Sequence, residues 1–497
     1  MPVSFMINEE QFKTPLFDAM VALAESRKVS FHTPGHKSGK GISTRFRKFV
    51  GPNIFSIDLT SLDEVDSLQK PRGVIKESQE LAARAYGADR SFFLLNGTSG
   101  GNHAMMLASC HPNDQVLIAR NAHKSVLAGL IFSGARPVFF SPAVDKDLKL
   151  TLNVTAADTR AAIDANPAAM ALILTTPNYY GITADLEAII PYAHKKGLTV
   201  LVDEAHGPHL SFHPRLPISA MQAGADLSVQ STHKIIGGMT QASMLHAQGG
   251  RMDMAALASA IRFIQSTSPS YILMASLDLA RMQMATEGEK LLEKTIQLAE
   301  EARSRINRIP GLFCFDRNAL KKKQPLEKGD FDVTKLTISV QDLGLSGYRA
   351  SRILNNNYHI QVEMADPLNI LVIVSIGDRQ DDLNRLVDAL REMSKKYHGT
   401  RLPKRLSAEV GLPPFGKPTG ITPREAYFKD HEPLPLEQAR GAVCAEIVTV
   451  YPPGIPLLIP GEIITTEVID YIRQMDQLGA TIDGLDPTGN SLSVIKR

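Results

Sequence analysis

The sequence feature that most constrains the fold is an alternation of short apolar runs with helical segments between about residues 89 and 248. Runs rich in β-branched and aromatic residues predict strands, and the amphipathic segments between them predict helices. The predicted strands are Ser91–Leu95, Gln115–Ala119, Arg136–Phe140, Ala171–Thr175, Leu198–Asp203, Ala225–Gln230 and Ala242–His246, and the predicted helices include Gly101–Ser109, His123–Gly134 and Leu186–Lys196. This order is typical of an α/β domain with a mainly parallel sheet that helices cover on both faces. Ligands of such domains bind beyond the carboxyl ends of the strands, and we expect the functional residues there.

The rest of the chain predicts smaller α+β units. A long amphipathic helix is predicted over 277–308, and a basic, proline-containing stretch at 321–325 then interrupts the pattern. The unit after it has a β-α-β-β-α order, with strand Thr334–Val340, helix Gly347–Asn355, strands near Gln361 and at Ile370–Ser375, and helix Asp381–Tyr397. A proline-rich linker at 402–423 precedes the last segment. Since 497 residues exceed one compact core, we predict an N-terminal arm (1–45), a large α/β domain (46–320), a small domain (321–400) and a C-terminal domain (401–497).

The composition excludes several classes of partner. Lysine and arginine total 54 and aspartate and glutamate 52, so the charge predicts neither nucleic acid nor an anionic membrane surface as a partner. The three cysteines lie far apart, which argues against a disulfide framework or a zinc ribbon and favours a reducing compartment. The chain has no run of about 18 apolar residues, and Met1–Lys13 lacks the apolar core of a signal peptide. We therefore expect a cytoplasmic protein with no membrane segment.

The segment Leu95–Asn102 follows a predicted strand and opens a helix with the sequence Leu-Asn-Gly-Thr-Ser-Gly-Gly-Asn. Small residues let the backbone approach an anion, the hydroxyls add donors, and the helix N-terminus presents free N–H groups. The segment therefore predicts phosphate binding, with a simple strand-to-helix turn as the alternative. It lacks the lysine of a P-loop and the glycine spacing of dinucleotide-binding folds.

The segment Val202–Gly207 places Asp203 at the end of an apolar strand, from which a carboxylate can face a positively charged ring nitrogen. The alternative interpretation is an ordinary acidic loop. A zinc site is a further alternative, because histidines at 206, 209 and 213 would share one face of a helix. Gly207-Pro208 and Pro214 argue against a regular helix there, so we predict no metal.

The segment Gln230–Gly238 places Lys234 just past a third strand, after a serine and a histidine and before two glycines. A Schiff-base lysine needs this setting, with donors for a phosphate beside it and little bulk behind it, although a single lysine is most often a surface charge. Ser99, Asp203 and Lys234 all follow predicted strands, and so converge on one edge of the sheet. A phosphate site, an acid for a pyridinium nitrogen and a reactive lysine together predict a pyridoxal-phosphate pocket.

The segment 120–125, Arg-Asn-Ala-His-Lys-Ser, follows another predicted strand. His123 is placed to stack on a flat ring, which is the functional interpretation. The structural alternative is a helix N-terminus capped by Asn121.

With these motifs, the chain resembles the bacterial ornithine, lysine and arginine decarboxylases, which are fold-type-I pyridoxal-phosphate enzymes. The segments that carry the resemblance are Phe31–Lys37, Asn96–Asn102, Asn121–Ser125, Asp203–Pro208, Ala223–Lys234, Thr267–Tyr271 and Tyr451–Glu462. The resemblance implies a large domain of the aspartate aminotransferase type with smaller α+β C-terminal domains. It resembles the short form, because the Thr-Pro-Gly-His-Lys motif begins at residue 33, and we therefore expect the extra N-terminal domain of the large members to be absent.

The resemblance also implies roles for individual residues. Lys234 would form the Schiff base, Asp203 would keep the ring nitrogen protonated, and His123 would stack on the ring. His206 would lie near the phenolic oxygen of the cofactor. The phosphate would be bound by Ser99, Gly100, Ser231 and His233. The site would lie at the interface of a homodimer, with a dimer of dimers as the alternative, and the arm and 267–271 would serve the neighbouring subunit.

The expected reaction is decarboxylation of a basic amino acid through a Schiff base between cofactor and substrate. Arginine is expected first, giving agmatine, with lysine and ornithine as alternatives, and the pathway is polyamine synthesis or acid consumption. The side chain that binds the distal cation is expected among five carboxylates, Glu446, Glu462, Asp58, Asp63 and Asp66. Three other interpretations remain open, namely a different pyridoxal-phosphate reaction such as amino transfer, a non-catalytic regulator, and a metal hydrolase.

Overall fold

A computed structural model of the chain describes residues 9–145, 150–321, 330–400, 413–451 and 454–496. The chain divides into two compact units, the first formed by Met1–Ala108 and Val202–Leu292 and the second by Ser109–Leu201 and Glu293–Arg497. Most of the predicted break at 321–325, the first part of the predicted linker at 402–423, and Pro452-Pro453 lie outside the described residues.

The helices and strands follow the predicted alternation. The helices are α1 (Pro15–Glu25), α2 (Thr44–Val50), α3 (Asn53–Ser56), α4 (Val74–Tyr86), α5 (Gly97–Ser109), α6 (Lys124–Ser133), α7 (Ala156–Ala165), α8 (Leu186–Lys195), α9 (Met254–Ile264), α10 (Tyr271–Ile306), α11 (Arg317–Lys321), α12 (Gly347–Tyr358), α13 (Gln380–Tyr397), α14 (Pro423–Tyr427) and α15 (Thr466–Leu478). The longer strands are β1 (Arg90–Leu94), β2 (Gln115–Ala119), β3 (Arg136–Phe140), and, after the short β4 (Val144–Asp145) and β5 (Leu150–Thr151), β6 (Ala169–Thr175), β7 (Thr199–Asp203), β8 (Leu227–Gln230) and β9 (Ser243–Ala247). The later strands are β10 (Phe313–Cys314), β11 (Lys335–Ser339), β12 (Met364–Ala365), β13 (Asn369–Ile373), β14 (Lys417–Pro418), β15 (His431–Pro435), β16 (Val448–Tyr451), β17 (Ile455–Leu458), β18 (Glu462–Ile463), β19 (Thr481–Asp483) and β20 (Ser491–Ile495).

In the first unit, β9 pairs antiparallel with both β1 and β8. Helix α5 packs closely on these strands because residue 101 is a glycine. A Cβ atom at Gly101 would lie 2.5 Å from Val229 Cγ1 and 2.7 Å from Leu94 Cδ1, which real side chains do not tolerate. This close approach brings the N-terminus of α5 to the ends of β1 and β8.

The N-terminal segment is bound to the long helix α10, which begins at Tyr271, six residues before the predicted start. Arg281 and Asp278 on this helix are completely buried and form an ion pair of 2.7 Å. The Arg281 guanidinium also donates to the carbonyl oxygens of Gln11 and Lys13 at 2.7 and 2.6 Å, and Asp278 accepts from the N–H of Leu16 at 3.1 Å. Five polar groups of the arm and the helix therefore satisfy one another away from water.

In the second unit, β2 pairs in parallel with β3 on one side and with β6 on the other. Val116, Leu117 and Ile118 of the central strand are fully buried, as expected for a parallel strand that is covered on both faces. The predicted bounds of β2 and β3 agree with the structure, and those of β6 differ by two residues at one end. These pairings confirm the parallel arrangement predicted from the sequence, whereas β9 is an antiparallel strand that the pattern did not distinguish.

The C-terminal part of the second unit contains the predicted β-α-β-β-α order. Strands β10, β11, β13 and β12 form an antiparallel sheet in that order, to which β10 adds a strand not predicted from the sequence. A continuous apolar core joins this sheet to α12 and α13 and to the last segment, and includes Leu336, Leu390 and Leu457, all fully buried. None of the helices in the described residues is both long and apolar enough to span a membrane.

Candidate active site

Asp203 ends β7 and is 2% exposed. Its Oδ2 accepts a hydrogen bond of 2.9 Å from the Asn102 side chain in α5, and its Oδ1 accepts from the N–H of Ala205 at 3.2 Å. These bonds hold the carboxylate in one orientation, because each oxygen has a separate donor. Asn102 had no predicted role, although it lies in the segment that predicts phosphate binding.

Glu204 follows Asp203 and points to the opposite face of the extended chain, where it is 1% exposed. Its carboxyl oxygens accept from the Ala220 N–H at 2.7 Å, the Ser228 hydroxyl at 3.1 Å and the Gln230 amide at 2.7 Å. Burial raises the pKa of Glu204 to about 7, and these three donors act in the opposite direction. Through these hydrogen bonds, Glu204 links the end of β7 to β8, the strand that precedes Lys234.

Lys234 lies in a 3₁₀ turn, Thr232–Lys234, directly after β8. Its Nζ is 2.9 Å from Nε2 of His206, which is within hydrogen-bonding distance. A Cβ at residue 238 would lie 3.0 Å from the Thr232 side chain, so the lysine turn packs closely against this position and favours a glycine there. The predicted lysine and the predicted His206 are therefore in direct contact.

The hydroxyl groups beside the lysine turn are linked to the N-terminus of α5. Ser231 Oγ is 3.1 Å from Thr98 Oγ1, and Thr98 was not singled out from the sequence. His233 Nδ1 is 3.0 Å from the carbonyl oxygen of Ala242, so its ring is oriented by the residue directly before β9. The structure thus brings Ser231 to the helix terminus that carries Ser99.

The backbone of α5 begins at Gly97, whose φ of +65° suits a residue without a side chain. The N–H of Gly97 donates to the carbonyl of Gln241 at 3.0 Å, and the N–H of Gly100 donates to that of Asn96 at 3.1 Å. Helix geometry leaves the N–H groups of Thr98 and Ser99 pointing out of the first turn. Gly100 contributes space, since a Cβ there would meet Asn96 and Ile264 at 3.2 Å.

His123 lies in the second unit, after β2, and is the N-cap of α6. Its Nδ1 accepts from the Ser125 N–H at 3.2 Å and lies 2.8 Å from the Ser125 hydroxyl. The expectation that Asn121 caps this helix is wrong, because the helix begins at Lys124 and the residue before it is the cap. Capping through Nδ1 restrains the orientation of the imidazole ring.

Three of the five candidate carboxylates for the substrate cation are already engaged. Glu462 is 5% exposed and forms an ion pair of 3.2 Å with Arg120, while burial raises the pKa of Glu462 to about 7. Asp66 accepts from backbone N–H groups at Arg72 and Gly73, and Asp58 binds His36 at 3.0 Å. The remaining two, Asp63 and Glu446, are exposed.

The predicted histidine stretch forms only a short 3₁₀ turn, Leu210–Phe212, in place of a regular helix. Within the described ranges, no group of three or more histidine, cysteine, aspartate or glutamate side chains is arranged to bind a metal ion.

Comparison with known proteins identifies the family. The family model described as "Orn/Lys/Arg decarboxylase, major domain" matches residues 14–382, and the model of the C-terminal domain of the same family matches residues 418–491. The chain belongs to the Orn/Lys/Arg decarboxylase family. It is 42% identical over 492 residues to an arginine decarboxylase of Bacillus anthracis, covering 99% of each chain. It is 44% identical over 489 residues to an arginine decarboxylase of Halalkalibacterium halodurans, covering 98% of each chain.

Solved structures confirm the predicted fold type. A lysine decarboxylase of Francisella novicida matches with a TM-score of 0.86 at 24% identity, over 98% of this chain and 82% of that one. An alanine–glyoxylate aminotransferase from Nostoc matches with a TM-score of 0.52 at 18% identity, over 66% of this chain and 88% of that one. The protein is thus a decarboxylase of this family with the fold of pyridoxal-phosphate enzymes, and pyridoxal phosphate is its cofactor. Family membership also sets aside the metal hydrolase and the non-catalytic regulator.

The residues of the first unit fit this cofactor. A buried carboxylate that is held on both oxygens suits a protonated ring nitrogen, and an amine in contact with an imidazole suits an aldehyde carbon. Hydroxyl groups at a helix N-terminus suit a phosphate. The first unit therefore contains a carboxylate, an amine and hydroxyl groups that suit the ring nitrogen, the aldehyde and the phosphate of pyridoxal phosphate.

Proposed function

We propose that this protein decarboxylates L-arginine to agmatine and CO2. The observation that carries the chemistry is a pair of contacts, the buried one between Asn102 and Asp203 and the partly buried one between His206 and Lys234, which places an oriented acid and an amine at the ends of neighbouring segments of one unit. The preference for arginine is supported by the arginine decarboxylases that are 42% and 44% identical over nearly the whole chain. Lysine and ornithine, which the family also includes, are the alternatives.

When bound, pyridoxal phosphate supplies an electron sink for the bond that breaks at the α-carbon of the substrate. Asp203, oriented by Asn102, holds a proton on the ring nitrogen, because a buried carboxylate favours a cation beside it. Lys234 would hold the cofactor through Nζ. His206 Nε2 lies 2.9 Å from that atom and would take up the proton that the Lys234 amine gives up when it acts as a nucleophile.

The other proposed roles concern binding. Ser99 and Ser231 would donate to the phosphate from the first turn of α5 and from the start of the lysine turn, where Ser231 Oγ lies 3.1 Å from Thr98 Oγ1. Gly100, in the same first turn of α5, is a further proposed phosphate contact. His233 completes this side of the site. His123, whose ring is fixed by Ser125, stacks on the cofactor ring.

The substrate assignment is tested by measuring CO2 release from arginine, lysine and ornithine separately, with purified protein and added pyridoxal phosphate. We expect kcat/KM for arginine to exceed that of the other two by at least about tenfold, the discrimination that a single distal group provides. A higher value for lysine or ornithine would overturn the arginine assignment and keep the chemistry. CO2 release from none of the three would overturn the decarboxylase proposal for basic amino acids.

The same assay tests the reactive lysine. Lys234→Ala is expected to abolish CO2 release, and the exposed Lys195→Ala serves as a control that should retain it. Near-normal steady-state turnover by Lys234→Ala would contradict the mechanism.

We also propose that the protein is a homodimer of the cytoplasm. Large aromatic side chains of the first unit are strongly exposed in the single chain, Phe31 by 92%, Phe49 by 89% and Phe263 by 85%, and such groups are typical of surfaces that another protein covers. Sedimentation equilibrium is expected to give twice the mass of one chain. Four times that mass would indicate a dimer of dimers, and a monomer would contradict the dimer proposal.

The cytoplasmic location is supported by the cysteines. Cys110, Cys314 and Cys444 are buried and free, as is usual in a reducing compartment.

The domain bounds of 45, 320 and 400 remain a proposal as well. The last of them is supported by the gap between the two family matches, which end at 382 and begin again at 418. Limited proteolysis with terminal sequencing of the fragments would test it, and cleavage confined to sites outside 382–418 would contradict it.

A further inference from the structure

Arg120 is a buried cation to which neither the sequence analysis nor the proposed mechanism gives a role. It directly follows β2, is 4% exposed, and lies three residues before His123. Burial lowers the pKa of its guanidinium, while the charge of Glu462 acts in the opposite direction. A charge in such a position is retained only with a full set of partners.

Within the described residues, the hydrogen bonds that the Arg120 guanidinium donates all go to the C-terminal segment Ile455–Glu462. One guanidinium nitrogen donates to the carbonyl of Pro456 at 3.0 Å, and the other donates to the carbonyl of Leu457 at 3.3 Å and to the Glu462 carboxylate at 3.2 Å. The Glu462 carboxylate also accepts from the N–H of Ile459 at 3.0 Å. The Pro-Gly-Glu motif therefore has a structural partner within its own unit.

The guanidinium plane is further restrained by two aromatic rings. Its central carbon lies 4.9 Å from the ring centre of Phe139 and 4.3 Å from that of Phe415. With stacking partners added to its hydrogen bonds, Arg120 has little rotational freedom. A lysine could not reproduce this planar set of contacts.

A short, hydrogen-bonded connection joins Arg120 to His123. The N–H of Arg120 donates to the carbonyl of Phe140 at 2.9 Å, and the N–H of Ala122 donates to that of Ala119 at 3.0 Å, which closes a tight turn. His123 then caps α6 at the end of this turn. A displacement of Arg120 therefore shifts the backbone that sets the height and tilt of the imidazole ring.

We propose that Arg120 and Glu462 are positioning residues, through which the C-terminal segment Ile455–Glu462 sets the position of the His123 ring against the cofactor. This inference rests on the stacking role proposed above for His123. It assigns to Glu462 a function in cofactor binding through Arg120, in place of the contact with the substrate cation. The competing explanation is a cross-link that stabilises the second unit and has no effect on the cofactor.

The two explanations differ in what the substitution Arg120→Met does to cofactor affinity at a temperature well below unfolding. The apoenzyme is titrated with pyridoxal phosphate and the bound cofactor is followed by its visible absorbance, a readout that does not depend on turnover. We expect the dissociation constant of the cofactor to rise about tenfold, which is the size of effect of a misplaced aromatic stacking contact. Arg120→Lys is expected to fall between the wild type and Arg120→Met.

A matched control separates positioning from loss of stability. Arg303 is another buried arginine of the second unit, and it donates to the carbonyls of Phe315, Val333 and Lys335. Arg303→Met is expected to lower the melting temperature and to leave the cofactor dissociation constant unchanged. An equal rise in both variants would overturn the proposal. Should Arg120→Met fail to fold, the milder Glu462→Gln, which retains acceptors for Arg120, is titrated in its place and is expected to weaken cofactor binding by a smaller factor.

The His123→Ala background gives the decisive test. If Arg120 acts through His123, then Arg120→Met changes the cofactor dissociation constant in the wild type and produces no further change in His123→Ala. Additive effects of the two substitutions would overturn the positioning role. An unchanged dissociation constant in His123→Ala alone would instead refute the stacking role in the proposed function, and the two failures are therefore distinguishable.

Discussion

Glu204 gives a prediction about stability that follows directly from its surroundings. Its carboxyl is almost completely buried beside Asp203, and its partners are the Ala220 N–H, the Ser228 hydroxyl and the Gln230 amide. Because these partners carry no positive charge, burial dominates and raises the pKa of Glu204 from 4.5 to about 7. Glu204→Gln removes this titration and keeps the size of the side chain.

The sign follows from proton uptake. Between pH 4.5 and 7 the folded protein holds a proton at Glu204 that the unfolded chain releases, so this contribution to the free energy of unfolding is fully present below pH 4.5 and is lost as the pH rises through 7. At about 1.4 kcal/mol per pKa unit, the change between pH 5 and pH 8 is about 2.5 kcal/mol. Glu204→Gln is not expected to show this loss, because the glutamine side chain does not titrate. The Gln230 side chain can rotate its amide and present its oxygen to the amide donor of the new glutamine.

The assay is equilibrium unfolding of the apoenzyme in urea at pH 5, 6, 7 and 8 and at one protein concentration. The quantity compared is the free energy of unfolding of the wild type minus that of Glu204→Gln, because the other titrating groups cancel in this difference. We expect the difference to fall by about 2.5 kcal/mol from pH 5 to pH 8. A difference that stays constant to within about 0.5 kcal/mol, the usual additivity error, would refute the argument.

Three further substitutions test other parts of the structure. Asp203→Asn is expected to lower kcat by a factor on the order of a hundred, since an amide cannot hold a proton on the ring nitrogen, and a loss of less than about tenfold would contradict that role. Gly101→Ala is expected to lower the free energy of unfolding by about 1–3 kcal/mol, because the new Cβ would lie 2.5 Å from Val229. Gly250→Ala is the control, since a Cβ at residue 250 has open space, and it should change the free energy of unfolding by less than about 0.5 kcal/mol. Arg281→Met leaves the Asp278 carboxylate buried without its cation, and we expect the free energy of unfolding in urea to fall by about 3–5 kcal/mol. Recovery of stability in the double variant Arg281→Met/Asp278→Leu would show that the unpaired charge is the cause.

The sequence could predict the elements and the ends of the strands, because these follow from local patterns. The predicted strands around Asp203 and Lys234 agree with the structure to within two residues, and the motifs after them carry the contacts that are proposed to bind the cofactor. Such motifs are visible in one sequence because glycines, hydroxyl groups and a lysine directly after a strand form an unusual local combination. The family resemblance rested on the same segments.

The partners of these residues could not be predicted, because they depend on packing between segments far apart in the chain. Asn102 orients Asp203 from 101 residues away, and Arg120 binds Glu462 across 342 residues. An isolated carboxylate in a sequence carries no sign of such a partner. Glu462 could therefore be considered for the substrate cation, although its charge is already matched inside the second unit.

The central claim is that Lys234 carries the cofactor, and a site-specific chemical measurement tests it most directly. Borohydride reduction of the holoenzyme makes the link between the lysine amine and pyridoxal phosphate permanent, and proteolysis followed by mass spectrometry then locates the modified residue. We predict a phosphopyridoxyl group on Lys234 and its absence from that position in Lys234→Ala. A cofactor attached to another lysine, or cofactor absorbance with no modified lysine after reduction, would contradict the account.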